Sequence, residues 1–450
     1  MDAIQDSAAI AALEARFLQR QAVVAVIGLG YVGLPLAQTI ASQGFRVLGF
    51  DIDPAKVAQL NAGQSYIRHI EGGALAELAR QGRFAATGDF ARLAEADAIL
   101  VCVPTPLGHH REPDLSMVEA TTRSIARHLR RGQLVVLEST TYPGTCRDVM
   151  LPLLQAGGLR GGQDFFLAYS PEREDPGNPR FATAGIPKVV GADDPAALRL
   201  ARALYGQVVV ATVPVSSLAA AEAVKLTENV FRAVNIALVN ELKVVFDAMG
   251  IDIWEVVEAA KTKPFGYMPF YPGPGLGGHC IPIDPFYLTW KAREFGVATR
   301  FIELAGEINV AMPHYVLDVL VRAMDRVHQR GLQGSRILLL GMAYKKNVDD
   351  LRESPSLRLM EMLEARGAVV EFHDPFVAEV PQVREHPSLR GRAGVAWNPA
   401  ALPGYHAALV ATDHDGVDYA TLAALCPLVV DTRNAVERAG VFGAANVVKA

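Results

Sequence analysis

Short apolar runs alternate with stretches of helical period along most of the chain. Val23–Ile27 is a β-branched run that ends at a glycine, the pattern of a strand buried in a parallel sheet. Helical spacing follows over 34–43, then Arg46–Phe50 predicts a second strand closing on Asp51, with further strands over 98–103 and 134–137. Strands separated by helices predict a parallel, doubly wound sheet. Near Val213 the pattern changes. Ser216 and Ser217 are candidate caps for a helix whose good formers continue to Met249 without a glycine or proline. At about 1.5 Å per residue it would be roughly 50 Å long, more than an ordinary crossover helix needs. It reads as a connector between domains, with a dimer surface as a further use.

A loop rich in glycine and proline is expected over 261–285, then more helices to Arg330. A second α/β pattern opens with Arg336–Leu340 and Gly341, continues with a helix over 356–366 that stops at Gly367, and a strand over 368–372 runs into His373, Asp374 and Pro375. That ending echoes Asp51, Ile52, Asp53 and Pro54. The expected fold is α/β, with two Rossmann-like doubly wound domains (1–213 and 331–450) joined by a central helical domain (214–330).

Length supports more than one domain, since 450 residues exceed what one core usually organises. Half the residues are hydrophobic, 20% are charged and the net charge is −5, a globular composition with no basic excess for nucleic acid. An anionic substrate must then be held by local groups. The first 21 residues carry Asp2, Asp6 and Glu14 and lack the layout of a signal peptide, and no apolar run is long enough to span a membrane, so a cytoplasmic protein is expected. The four cysteines, at 102, 146, 280 and 426, are far apart and lack CxxC spacing, which suits a reducing compartment and disfavours a metal site.

Gly28, Gly30 and Gly33 form GxGxxG at a strand-to-helix junction, where the first two permit a tight turn and close approach of a pyrophosphate and the third lets helix and strand pack. Asp51, near the expected spacing of about twenty residues, can accept from ribose hydroxyls and would repel a 2′-phosphate, which favours NAD over NADP. Tyr31 and Val32 within the glycine turn, with Asp53, complete this candidate site. Lys56 could serve the adenosine end or be a solvated helix-start lysine. Pro104 and Thr105 leave the C-terminal end of another strand, where cofactors lie in such sheets.

The segment from Gly273 to Pro285 places Cys280 in a loop so poor in side chains that a substrate could approach its backbone. A thiolate beside NAD has a clear use. It turns an aldehyde into a thiohemiacetal, from which hydride leaves more readily, and the resulting thioester is hydrolysed to an acid. His279 is read as loop packing or hydrogen bonding, with a general base as the alternative, and Cys102, Cys146 and Cys426 as small buried hydrophobes. On the long helix Lys225, Asn229 and Arg232 recur at steps of four and three and share a face among Ala, Val, Leu and Ile. Lys225 and Asn229 could stabilise an alkoxide, and an exposed polar stripe is the plain alternative.

With these segments in hand, the chain resembles the UDP-glucose/GDP-mannose dehydrogenase family. The motifs are GLGYVGLP from Gly28, KLTEN from Lys225, GPGLGGHCIPIDP from Gly273 and GMAYKKNVDDLRESP from Gly341. The resemblance implies two NAD-dependent oxidations of a nucleotide-sugar C6 alcohol to the acid through a cysteine thioester. It implies that Cys280 is the nucleophile, Lys225 the oxyanion stabiliser and proton partner, and Asn229 its neighbour. Asp284 would activate water, Thr140 would hold that water beside the cofactor, and Glu172 would be a further acid/base group. Arg352 would reach the cofactor pyrophosphate. Lys345 would bind the sugar nucleotide, joined in the implied substrate site by Arg173, Arg232, Tyr271, Gly273 and Gly277.

The stretch from Ser170 to Asn178 departs from the PEFLxEG pattern of UDP-glucose enzymes, with Pro176 in register with the second glutamate. It resembles the branch acting on 2-acetamido sugars, as does GEINVAMP from Gly306. This favours conversion of UDP-N-acetylglucosamine to its uronate for surface polysaccharide. UDP-glucose and the galacto and manno acetamido epimers are the alternatives. A homodimer or larger homo-oligomer is implied, with no nucleic acid or membrane partner, and a nucleotide-sugar sensor is the non-catalytic alternative.

Overall fold

The computed structural model describes residues 2–67, 70, 72–108, 111–173, 183–278 and 280–450, without the side chains of 2–7 and 280. His279 and the segment 174–178, both weighed above, lie outside the described residues. The chain forms two compact units, 1–228 with 286–297 and 229–285 with 298–450. Each is described on its own.

The first unit is built on eight strands: β1 (Val23–Ile27), β2 (Arg46–Phe50), β3 (Phe84–Thr87), β4 (Ala98–Val101), β5 (Gln133–Leu137), β6 (Phe165–Tyr169), β7 (Lys188–Gly191) and β8 (Thr212–Val215). Their order is β3-β2-β1-β4-β5-β6-β7-β8, all neighbours parallel except β6 and β7. β1 is buried from Val24 to Ile27, and β4 and β5 throughout, because helices cover both faces, which explains why these strands read as continuous apolar runs. The strand order reverses between β1 and β4, so the turns leaving them open a crevice at the carboxyl edge of the sheet. A helix preceding β1, Asp2–Leu18, buries Leu13 and Phe17 in the same core, and its Arg16 reaches Asp97 at 2.6 Å.

The turn after β1 shows why glycine is needed there. Gly28 has φ +90°, and a Cβ on it would lie 2.6 Å from the Cys102 carbonyl oxygen. A Cβ on Gly33, which opens the helix Gly33–Ser42, would sit 1.8 Å from the Gly28 oxygen. At Gly30 a Cβ would meet nothing within 4 Å. Two of the glycines are thus required by packing, and Gly30 leaves open space above its backbone.

The second unit carries a five-stranded parallel sheet in the order β10-β9-β11-β12-β13, with β9 (Arg336–Leu340), β10 (Val369–His373), β11 (Ala407–Val410), β12 (Val429–Asp431) and β13 (Val447–Lys449). The helix Pro355–Ala365 packs on it, capped by Ser354. The architecture is the expected α/β one, with two doubly wound sheets and a helical middle. The helix Leu218–Met249 stands where the capping serines placed it, and the Ser217 hydroxyl accepts from Ala220 N at 3.1 Å. Its residues from Asn229 on belong to this unit. There Asn240 and the helix Arg300–His328 are joined by a buried bond, Asn240 Nδ2 to Asn309 Oδ1 at 2.9 Å.

One expectation is corrected. The loop read over 261–285 ends earlier, because the helix Cys280–Glu294 begins at the cysteine. Pro282 falls in its first turn, where a backbone N–H has no helical partner in any case, and Pro285 forfeits one helical bond.

Gly33→Ala is expected to lower the melting temperature, as overpacking against backbone costs about 1–3 kcal/mol or more. Gly30→Ala should melt close to the wild type. Thermal unfolding of both variants without ligand checks the pair, and equal melting would contradict the packing account.

Candidate active site

In the first unit the carboxyl edge of the sheet is fixed by hydrogen bonds between its turns. Asp51 follows β2 and is buried; its Oδ2 accepts from Leu29 N at 3.1 Å and its Oδ1 from Asp53 N at 3.0 Å. Lys56 Nζ lies 3.9 Å from Asp51 Oδ2 and 5.6 Å from the Tyr66 ring centre. The Tyr66 hydroxyl donates to the Leu29 carbonyl, while burial first and then Asp51 and Asp53 hold its proton tightly. Asp53 caps the helix Pro54–Asn61 through Ala55 N at 2.9 Å. Tyr31 and Val32 are half-buried against the core.

Beyond the switch point the turns after β4 and β5 are tied together. Thr105 Oγ1 donates to Thr140 O at 2.8 Å, Ser139 Oγ donates to Val103 O at 2.7 Å, and Tyr287 Oη donates to Thr105 O at 2.6 Å. Pro104 is exposed beside the buried Thr105. The open backbone at Gly30, the carboxylate of Asp51 and these braced turns fit a dinucleotide: a pyrophosphate against the glycine turn at the helix start, ribose hydroxyls on Asp51.

A second set of polar groups lies deeper in this unit. Glu172 follows β6; its Oε1 accepts from Arg173 N at 2.7 Å and its Oε2 lies 3.4 Å from Lys188 Nζ. Arg173 spends its guanidinium on Glu228 Oε1 at 2.6 Å and Pro187 O at 2.6 Å. Lys225 is 8% exposed, yet among the described residues no hydrogen bond or ion pair reaches its ammonium. One turn earlier, the buried Glu222 accepts from Gly144 N at 2.6 Å and Cys146 N at 2.9 Å, bracing the Thr140 turn against the start of the Lys225 helix. Burial raises the Glu222 pKa, and these two amides offset it.

In the second unit, Asn229 Nδ2 donates to Asp284 Oδ2 at 2.5 Å, and both residues are buried. Asp284 lies one turn into the helix that Cys280 begins. The glycine segment before it is closely packed: Gly273 N donates to the side chain of the buried Asn240 at 3.0 Å, Gly278 N donates to Arg352 O at 2.9 Å, and a Cβ on Gly277 would lie 2.5 Å from Tyr344 Cβ. Tyr271 stacks on Trp254 and donates to Glu258 at 2.7 Å. Arg352 clasps Asp350 at 2.6 Å, Lys345 is half-buried in the turn after β9, and Arg232 is exposed on its helix. That turn is held by Asp374, which accepts from Met342 N, Ala343 N and His414 Nε2 at 2.7, 3.0 and 3.0 Å.

Cys102, Cys146 and Cys426 are buried, as expected of small hydrophobes, and burial pushes all three thiols up, Cys426 to about 11. Glu138, Lys188, Glu222, Asn240 and Asn309 escaped the reading of the sequence. The available signal was a charge or amide at the margin of an apolar run: Glu138 closes LVVLE, Lys188 opens KVVG, and Glu222 precedes Lys225 by three on an otherwise apolar face.

Glu222→Ala leaves two buried amides without acceptors and is expected to cost about 2 kcal/mol or more. Denaturant unfolding checks this, and a loss below about 0.5 kcal/mol would contradict it.

Family models match three stretches: the NAD binding domain of the UDP-glucose/GDP-mannose dehydrogenase family at 22–209, its central domain at 219–311 and its UDP binding domain at 338–438. A UDP-N-acetyl-D-glucosamine 6-dehydrogenase of Pseudomonas aeruginosa is 38% identical over 367 residues, 81% of this chain and 85% of that protein. An NDP-N-acetyl-D-galactosaminuronic acid dehydrogenase of Ralstonia nicotianae is 36% identical, covering 80% and 84%. The solved structure of the UDP-D-ManNAc dehydrogenase of Pyrococcus horikoshii superposes with a TM-score of 0.84 at 32% identity, covering 95% of this chain and 98% of that one. No helix among the described residues is long and apolar enough to cross a membrane. With NAD and UDP binding domains at opposite ends of the chain and dehydrogenases among its relatives, the chain belongs to the UDP-glucose/GDP-mannose dehydrogenase family of NAD-dependent UDP-sugar 6-dehydrogenases.

Proposed function

We propose that this protein oxidises the C6 alcohol of UDP-N-acetyl-D-glucosamine to the uronic acid in two steps, through a thioester on Cys280, for surface polysaccharide. The observation that carries the mechanism is Lys225: a lysine in a largely buried position, with no anion beside its ammonium among the described residues, is suited to receive one from the substrate. The sugar assignment is supported by the 38% identical relative and by Pro176, in register with the second glutamate of the UDP-glucose pattern.

NAD, when bound, accepts the hydride lost from C6 in each of the two oxidations. Lys225, with Asn229, stabilises the alkoxide as the first oxidation gives the aldehyde. The Cys280 thiol then adds to C6: a C–S bond forms, the carbonyl π bond opens, and the thiol proton passes to the oxygen. The second oxidation removes hydride from C6 and the proton from its oxygen, leaving the thioester. Asp284 directs a water held at Thr140 onto the acyl carbon, the C–S bond breaks, and the thiolate recovers a proton. Glu172 carries protons in these steps.

Gly28, Gly30, Gly33 and Asp51 hold the pyrophosphate and ribose of the cofactor, with Tyr31, Val32, Asp53, Lys56, Pro104, Thr105 and Arg352 as its further assigned residues. Arg173, Arg232, Tyr271, Gly273, Gly277 and Lys345 make up the sugar-nucleotide site. We read domain limits of 1–213, 214–330 and 331–450, a cytoplasmic setting and a homodimer or larger homo-oligomer; exposed Leu238 and Val244 on the long helix support a further apolar contact.

Purified protein is expected to release two NADH per UDP-N-acetylglucosamine and to prefer it over UDP-glucose and the manno and galacto acetamido epimers in kcat/KM. One NADH per sugar would exclude the thioester route, and preference for another sugar would overturn the substrate assignment. Cys280→Ala should abolish acid formation while NAD still binds. Lys225→Ala should lower kcat by roughly 10²–10³-fold, the loss typical of one oxyanion donor. A change confined to KM would contradict that role. Gly30→Ala should weaken NAD binding, read by titration.

A further inference from the structure

Lys188 opens β7 and is 4% exposed. Its ammonium donates to Glu138 Oε2 at 2.7 Å, to the Pro171 carbonyl at 3.3 Å and to Glu172 Oε2 at 3.4 Å. Glu138 follows β5 at 1% exposure and also accepts from the Tyr205 hydroxyl. One cation therefore answers two carboxylates, one sealed in the core and the other leading to the surface of the site. A buried ion cluster of this kind rarely improves stability over apolar packing, so its placement beside Glu172 calls for another explanation.

We propose that Lys188, held in place by Glu138, is a positioning residue that fixes the Glu172 carboxylate and keeps it anionic. The inference rests on the reading of Glu172 as a proton carrier. The charges divide unevenly. Burial, and then the charge of Glu172, push Glu138 up to about 7 against the pull of Lys188. Burial works against the charge on Lys188, yet Glu138 and Glu172 together raise its pKa, so it stays a cation. As pH falls toward neutrality Glu138 is thus the carboxylate that takes up the proton, and Lys188 is left to Glu172. Among the described residues, Tyr205 bonds Glu138, the buried Cys102 keeps its proton, and Arg173 is spent on Glu228 and Pro187 O. None of these takes the place of Lys188 at Glu172 Oε2.

The test is the pH profile of kcat in full-length enzyme with NAD and UDP-N-acetylglucosamine, for Glu138→Gln, Lys188→Met, Lys188→Arg and Glu172→Gln. Lys188→Met should lower kcat about tenfold or more, with KM for NAD within about twofold, as expected when a proton carrier loses its geometry. Lys188→Arg should recover most of that loss. Glu138→Gln keeps the shape of the protonated Glu138 already present below neutrality and should leave the acidic limb of the profile in place, whereas Lys188→Met, which removes the cation beside Glu172, should move that limb to higher pH. A merely structural cluster would change melting without moving that limb. Unchanged kcat or an unmoved limb in Lys188→Met overturns the inference, as does a displaced limb in Glu138→Gln, whose profile decides alone if Lys188→Met does not fold. Should Glu172→Gln keep full activity, the proton-carrier reading falls and takes this inference with it. An inactive Glu172→Gln beside wild-type behaviour in the Lys188 variants removes this inference only.

Discussion

A charge withdrawn from water must be met by a partner, because the interior solvates ions poorly. This constraint organises the polar interior of both units. Asp97, at the start of β4, is met by Arg16 and Arg130 at 2.6 and 3.0 Å. Glu222 is met by two amides, Asp374 by two amides and His414, and Glu138 by Lys188 and Tyr205. Each of these pairings joins segments far apart in sequence, so each also fixes the course of a turn. Lys225 stands apart as a largely buried lysine whose ammonium meets no anion among the described residues, and the proposed chemistry gives it the negative charge that forms on the substrate oxygen.

The same constraint explains how the sheet edge stays open without losing its shape. A cofactor crevice needs turns that approach it closely, and turns are the parts of a fold with the fewest packing contacts. Here they are braced from behind. Thr105 and Ser139 spend their hydroxyls on the carbonyls of the opposite turn, and Asp51 spends both oxygens on the amides of Leu29 and Asp53. The unit can therefore present the backbone at Gly30 and the carboxylate at Asp51 ready-made, which lowers the ordering cost of binding.

Much of this was legible in the sequence. The strands β1, β2 and β9 matched their predicted limits, because buried parallel strands write themselves as unbroken apolar runs. The long helix ended where its good formers ended, at Met249. GxGxxG was legible because two of its glycines answer to backbone clashes, Gly33 within its own turn and Gly28 against the turn after β4. The partners of the buried charges were not. Glu138 and Lys188 are fifty residues apart, and Glu222 meets amides seventy-six and seventy-eight residues away, distances at which periodicity carries no information. The start of the helix at Cys280 was hidden for another reason. Glycine and proline dominate the local pattern, and the first turn of a helix is the place where proline does no harm.

The central claim is that the sugar carbon passes through a covalent bond to Cys280. Its most direct test is rapid acid quench of the enzyme with NAD and UDP-N-acetylglucosamine, followed by peptide mass analysis. The account predicts an acyl-sugar nucleotide mass on the peptide containing Cys280, rising before free acid appears and enriched in an Asp284→Asn variant that is slow to hydrolyse it. Acid accumulating at full rate with that peptide unmodified at every quench time would contradict the account.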